Sequence, residues 1–163
     1  MRILILGGHG FIGCHTSDIL KQQGHTIGVV DCYHQYYTFP DKEYFPILQI
    51  RKDHANSDQT FVGKIEDESF MATVFQEFKP TVVIHLATYP NAKMVARNVA
   101  DATNNMITAT AIILNLCVKF NVKRFVFASS SMAYGEFNGK IPNETVACNP
   151  NTLYGSYKHQ GER

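Results

Sequence analysis

The stretch Arg2-Ile3-Leu4-Ile5-Leu6-Gly7-Gly8-His9-Gly10-Phe11-Ile12-Gly13 decides the fold. It opens on a short apolar run closed by glycine, the pattern of a buried strand. It then turns through Gly7, Gly10 and Gly13 into a helix in which Ile12, Thr16, Ile19 and Leu20 recur at helical spacing. Strand, glycine turn and helix in that order make a phosphate site. Gly7 permits the tight turn, Gly10 lets the backbone approach a pyrophosphate, and Gly13 lets helix and strand pack closely. The helix N-terminus adds free amides and partial positive charge. Glycines also mark plain turns, but the strand before and the helix after favour nucleotide binding.

Working outward, Gly24 ends the first helix, and Thr26–Asp31 reads as a second strand closing on an acid. A carboxylate there accepts hydrogen bonds from adenosine ribose hydroxyls and repels a 2′-phosphate. No Arg or Lys follows until Lys42, so the pattern predicts NAD rather than NADP. Residues 32–58 are the least regular part, crowding Tyr33, Tyr36, Tyr37, Phe39, Tyr44 and Phe45 with Pro40 and Pro46. A short helix is predicted over 41–51, with Pro46 inside it.

Residues 59–63 read as a third strand. Asp67 then caps a helix to Lys79 with the stripe Phe70, Met71, Val74, Phe75 and Phe78, stopped by Pro80. Residues 82–86 are apolar without alternation, as in a parallel strand covered on both faces. A long helix is predicted over 101–120, on Met106, Ala109, Ile113, Leu116, Cys117 and Phe120, followed by a fifth strand over 124–128. After Ser129-Ser130-Ser131 comes a polar loop with Pro142 and Pro150, and a helix begins near Leu153. Strands alternating with helices predict an α/β fold, a doubly wound parallel sheet with right-handed crossovers.

Composition narrows the function. The chain has 163 residues, 45% of them apolar, enough for a packed core rather than disorder. Its 15 Lys and Arg against 14 Asp and Glu leave a charge of +1, which gives no support for nucleic-acid binding. No apolar run reaches membrane length. Cys14, Cys32, Cys117 and Cys148 are widely spaced without a C-x-x-C, which predicts reduced thiols and a cytoplasmic location. His9, His15 and His25, or His85 with Cys14, match no metal-ligand spacing, so no metal is expected.

Four motifs together carry a resemblance: Gly7-x-x-Gly10-x-x-Gly13; His85-Leu86-Ala87; Ser129-Ser130-Ser131-Met132-Ala133-Tyr134-Gly135; and Tyr154-Gly155-Ser156-Tyr157-Lys158. In this order they resemble the extended short-chain dehydrogenase/reductase family, and within it the NAD-dependent sugar-nucleotide epimerase/dehydratase group. The resemblance spans the chain and implies a Rossmann fold. It puts the cofactor against Gly7, Gly10, Phe11, Ile12, Gly13, Asp31, Ile65, Leu86, Ala87, Tyr154 and Lys158. It also makes Ser130, Tyr154 and Lys158 the catalytic set, with Ser129 and Ser131 as competitors for the serine role. Residues i and i+4 share a helix face, so the Lys158 ammonium can approach Tyr154. That cation and a positive nicotinamide ring are expected to lower a phenol pKa that is ordinarily about 10.

The two positions after Ser130 separate chemistries. The 4,6-dehydratases of the family carry an Asp-Glu pair there, and decarboxylating members keep the Glu. Here Ser131 and Met132 cannot transfer a proton at neutral pH. The resemblance therefore implies epimerisation of a nucleotide sugar through a transient keto form, at C4. Alternatives are a non-catalytic NAD-binding module and a reductase or dehydrogenase of another small carbonyl compound. Two departures stand out: Gly63-Lys64-Ile65 replaces a usual Gly-Asp-Ile, and Thr88 replaces an Ala. The Tyr-rich stretch and Asn149-Pro150 loosely resemble UDP-glucuronate 4-epimerases. A homodimer through the helices after the fourth and fifth strands is expected by analogy. The helix begun at Leu153 has no stop signal before Arg163. This predicts a truncation boundary there, with residues 1–163 as the cofactor domain and the sugar-binding domain beyond it.

Overall fold

A computed structural model describes residues 1–37, 39–137, 139 and 143–163. Pro142 of the expected polar loop lies outside the described residues. Five strands, β1 (Arg2–Leu6), β2 (Thr26–Asp31), β3 (Gln59–Val62), β4 (Val82–His85) and β5 (Arg124–Phe127), form one sheet in the order β3-β2-β1-β4-β5. All four pairings are parallel, with Leu4 opposite Gly28 on one side and Val83 on the other.

The helices are α1 (Phe11–Gln22), α2 (Asp41–Ala55), α3 (Glu68–Phe78), α4 (Ala92–Arg97), α5 (Val99–Thr103), α6 (Ala109–Lys119) and α7 (Leu153–Gly161). Alternate residues of β1 serve opposite faces. Leu4 and Leu6 join Val30 and Val83 under α3 and α6, against Phe75, Phe78 and Ile113. Ile3 and Ile5 join Ile27 and Val29 on the other face, with Leu20 of α1 packed on them. Both faces are thus covered, and each fully buried Leu, Ile or Phe contributes about 1.5–3 kcal/mol. Asp67 caps α3 as expected, its Oδ1 accepting from Phe70 N at 3.0 Å.

Two elements differ from the sequence reading. The helix expected over 41–51 runs on to Ala55. Pro46, in the second turn, removes the hydrogen bond to the Lys42 carbonyl, and the helix continues because Leu48 and Ala55 anchor the later turns in the core. The single helix expected over 101–120 is instead α5, a π-helical segment (Asn104–Thr108) and α6, with α4 before it. A π segment adds a residue without interrupting the apolar stripe, so periodicity does not reveal it. No helix of the described residues is long and apolar enough to cross a membrane.

The order of strands reverses between β1 and β4. Crossovers leave on opposite sides there, so a crevice opens beyond the carboxyl ends of these two strands. Gly7 follows one strand and Leu86-Ala87 the other.

Candidate active site

The crevice holds a cavity of about 300 Å³. Of the positions expected to hold the cofactor, Gly7, Gly10, Asp31, Ile65, Leu86 and Ala87 line it together, whereas Gly13, Tyr154 and Lys158 do not. Gly7 has φ +79°, and a Cβ on it would come within 2.8 Å of Ala87 N. A Cβ on Gly13 would collide with the Gly7 carbonyl, so only glycine lets α1 start this close to the loop. Gly10 faces the opposite way, its Cβ position touching only Gly7 O at 3.1 Å. The first turn of α1 has no side-chain cap and no acid, leaving its amides free for an anion. Phe11 and Ile12 stand exposed beside this turn rather than lining the cavity.

Buried polar atoms show that the cavity is built for a polar guest. His9 Nδ1, Thr88 Oγ1 and Asn105 Oδ1 are buried without a hydrogen-bond partner, and all three residues line it. An unpaired buried polar atom costs about 1–3 kcal/mol, so three around one cavity call for a ligand with donors and acceptors. The free amides at the α1 N-terminus and the Asp31 carboxylate at the end of β2 add donors for an anion and an acceptor to the same cavity. Sequence reasoning missed all three orphans as binding residues. Thr88 stood out only as a departure from an Ala, and Asn105 sits in the unforeseen π segment.

A smaller adjoining cavity shares Ala87 and Thr88 and is lined by His85, Thr110, Tyr157 and Lys158. His85 Nε2 lies 3.2 Å from Thr110 Oγ1, and burial, with the Lys158 charge, drives the ring pKa down to about 3. His85 is therefore neutral at physiological pH, with Nδ1 unpartnered. The Tyr157 hydroxyl lies 2.9 Å from Thr103 Oγ1.

Ser130 and Tyr154 meet next to this cavity, outside the lining of either. Ser130 caps the 3₁₀ turn Ser131–Ala133, its Oγ accepting from Met132 N at 3.2 Å. Thr152 caps α7 by accepting from Gly155 N at 3.1 Å. Tyr154 is buried against Tyr89, Met94 and Met106. Burial raises its phenol pKa, and the Ser130 hydroxyl pulls it back down. Ser130 is thus the one of the three serines that acts on the phenol; Ser129 instead donates to Glu162.

Lys158 departs from expectation. It shares the α7 face with Tyr154, yet its Nζ donates to the Ala128 carbonyl at 2.7 Å and lies 4.9 Å above the Phe127 ring. A desolvated ammonium takes the nearest carbonyl, and burial lowers its pKa to about 8. In the chain alone the phenol is raised by burial rather than lowered by Lys158.

Gly155 was also unforeseen. A Cβ there would collide with the Met132 carbonyl, so glycine lets α7 press onto the turn that carries Ser130. Gly155→Ala is expected to cost about 1–3 kcal/mol through overpacking. It should also lower turnover about tenfold to a hundredfold by parting Tyr154 from Ser130. Urea melts and steady-state kinetics of the variant check both.

Known proteins share this fold. The chain is 30% identical over 163 residues to protein CapI of Staphylococcus aureus, covering 99% of this chain and 48% of that one. UDP-glucose 4-epimerase of Thermus thermophilus, crystallised with NAD, superposes with a TM-score of 0.82 at 27% identity, over 99% of this chain and 49% of its own. The Thermotoga maritima UDP-glucose 4-epimerase crystallised with UDP-glucose gives 0.81 at 31%, again over 99% and 49%. The chain therefore spans about half the length of these relatives. Residues 3–163 match the model of the NAD dependent epimerase/dehydratase family, and the chain belongs to that family.

Proposed function

We propose that this chain is the cofactor-binding and catalytic portion of an NAD-dependent sugar-nucleotide epimerase that inverts C4. The observation that carries the reading is the Ser130 hydroxyl acting on the buried Tyr154 phenol, with Lys158 one turn further along α7 and lining the space next to the glycine-loop cavity. Bound NAD⁺ supplies the oxidant that takes hydrogen from the sugar carbon and returns it. Ser130 holds the reacting sugar hydroxyl and aims it at Tyr154. Tyr154, as phenolate, removes the hydroxyl proton and later gives it back. With the cofactor bound, Lys158 would hold the nicotinamide ribose hydroxyls in place of the Ala128 carbonyl, where its charge would favour the phenolate. Neutral His85 accepts or donates one hydrogen bond without competing for the proton. Ser131 and Met132 supply no acid or base, which fits epimerisation better than elimination of water.

Sugar contacts come from chain beyond these residues, in keeping with relatives of about twice this span. Leu114 and Val118 stand exposed on α6 and fit a homodimer face. The four free cysteines fit a cytoplasmic protein.

Incubating the full-length protein with UDP-hexoses and UDP-glucuronate tests the reading. The 4-epimer is expected to form with no net NADH. Steady NADH release would favour a dehydrogenase, and the absence of product from every nucleotide sugar would sink the epimerase. Residues 1–163 alone are expected to bind NAD⁺ without turning over sugar.

A further inference from the structure

The connection between β2 and β3 carries positive charge into the cofactor cavity. Along α2, Tyr44, Leu48, Arg51 and Ala55 recur at helical spacing and form its inner face. Leu48 and Ala55 are buried, and Tyr44, Leu48 and Arg51 line the cavity. Two bonds hold this face in place. The Tyr44 hydroxyl donates to the Tyr33 carbonyl at 3.0 Å, and the Ser17 hydroxyl donates to the Ala55 carbonyl. Arg51 pairs with no carboxylate among the described residues. Lys52 Nζ sits 4.0 Å over the ring of Tyr33, which also lines the cavity.

Asp31 stands at the same end. Its Oδ2 accepts from His9 N at 3.0 Å and its Oδ1 from Tyr33 N at 2.9 Å. Burial raises the Tyr44 phenol pKa first, and both charges act on it as well, Asp31 raising it further and Arg51 lowering it. Acid and cations therefore share the ribose end. A lone acid after β2 repels a 2′-phosphate, whereas an arginine beside it accommodates one. A guanidinium without a carboxylate partner presents a fork of donors that matches phosphate geometry.

We propose that Arg51 and Lys52 form a 2′-phosphate subsite at the ribose end of this cavity, so that the protein accepts NADP⁺ as well as NAD⁺. The inference rests on the cavity being the cofactor site. It leaves the expectation of NAD standing and adds NADP⁺ to it, because that expectation counted only cations close behind Asp31 along the chain. α2 returns Arg51 and Lys52 to Asp31 in space.

Calorimetric titration of cofactor-free full-length protein with NAD⁺, NADP⁺ and 2′,5′-ADP tests it. NADP⁺ is expected to bind within about tenfold of NAD⁺. Arg51→Ala should weaken NADP⁺ relative to NAD⁺ by about tenfold or more, with Arg51→Lys recovering part of the loss. Lys52→Ala should shift the same ratio in the same direction. Wild-type binding of NADP⁺ more than about tenfold weaker than NAD⁺ overturns the subsite. So does a ratio unmoved by both alanine variants. Failure of NAD⁺ itself to bind would instead overturn the cofactor site on which the subsite depends.

Discussion

Tyr154→Phe is expected to lower kcat by about 10²- to 10⁴-fold, the range for losing a positioned acid or base. The fold should survive. The ring packs among Tyr89, Met94 and Met106, and a phenyl group keeps those contacts. The Ser130 hydroxyl loses the phenol oxygen it acts on, but Ser130 is only half-buried, so water can take that place while its Oγ keeps the bond from Met132 N. Kinetics of the full-length variant and its thermal melt separate the two effects: a large fall in kcat with an almost unchanged Tm is expected. Turnover within about threefold of wild type would remove Tyr154 from the chemistry. The pH profile adds a second readout. Burial raises the phenol and Ser130 lowers it. Ser130→Ala should therefore push the basic requirement of the reaction to higher pH, and Tyr154→Phe should abolish that limb.

Most of the sheet is legible in the sequence because parallel strands covered on both faces must be apolar at consecutive positions. Ile3-Leu4-Ile5-Leu6 and Val82-Val83-Ile84 carry that signature, and both are found as strands. The glycine loop is legible because each glycine answers a separate steric demand. What escapes is whatever tertiary contact decides. α2 is weakly amphipathic and contains Pro46, so its length follows from Leu48 and Ala55 finding the core rather than from local preference. The π segment shares its apolar period with the helices around it. Thr88 and Asn105 are single polar residues whose importance appears only when burial leaves them unpaired. The spacing of Tyr154 and Lys158 correctly puts both on one helix face. It does not reveal that Ala128 offers a carbonyl that takes the ammonium first.

Lys158 carries the second large effect, in which stability and activity are expected to move in opposite directions. Its side chain is 3% exposed, and its pKa falls from 10.5 to about 8 because burial disfavours the charge. Below pH 8 the ammonium is charged in both folded and unfolded chains, so the folded state bears the whole penalty, about 3 kcal/mol. Between about 8 and 10.5 the unfolded chain holds the extra proton, and wild-type stability rises with pH. Lys158→Met keeps the stem and removes the charge. The cofactor-free variant is expected to be more stable than wild type at pH 7 by up to about 3 kcal/mol, less what the Ala128 hydrogen bond contributes. The gap should close as pH approaches 10.5. The same variant should lose about 10²-fold or more in kcat, since only the Ser130 hydroxyl is then left among these side chains to favour the Tyr154 phenolate. Urea melts at pH 7 and pH 10, set beside the kinetics, check the pair. A variant less stable than wild type at pH 7 would show that Lys158 is held by its contacts with Ala128 and Phe127 rather than kept there for its charge.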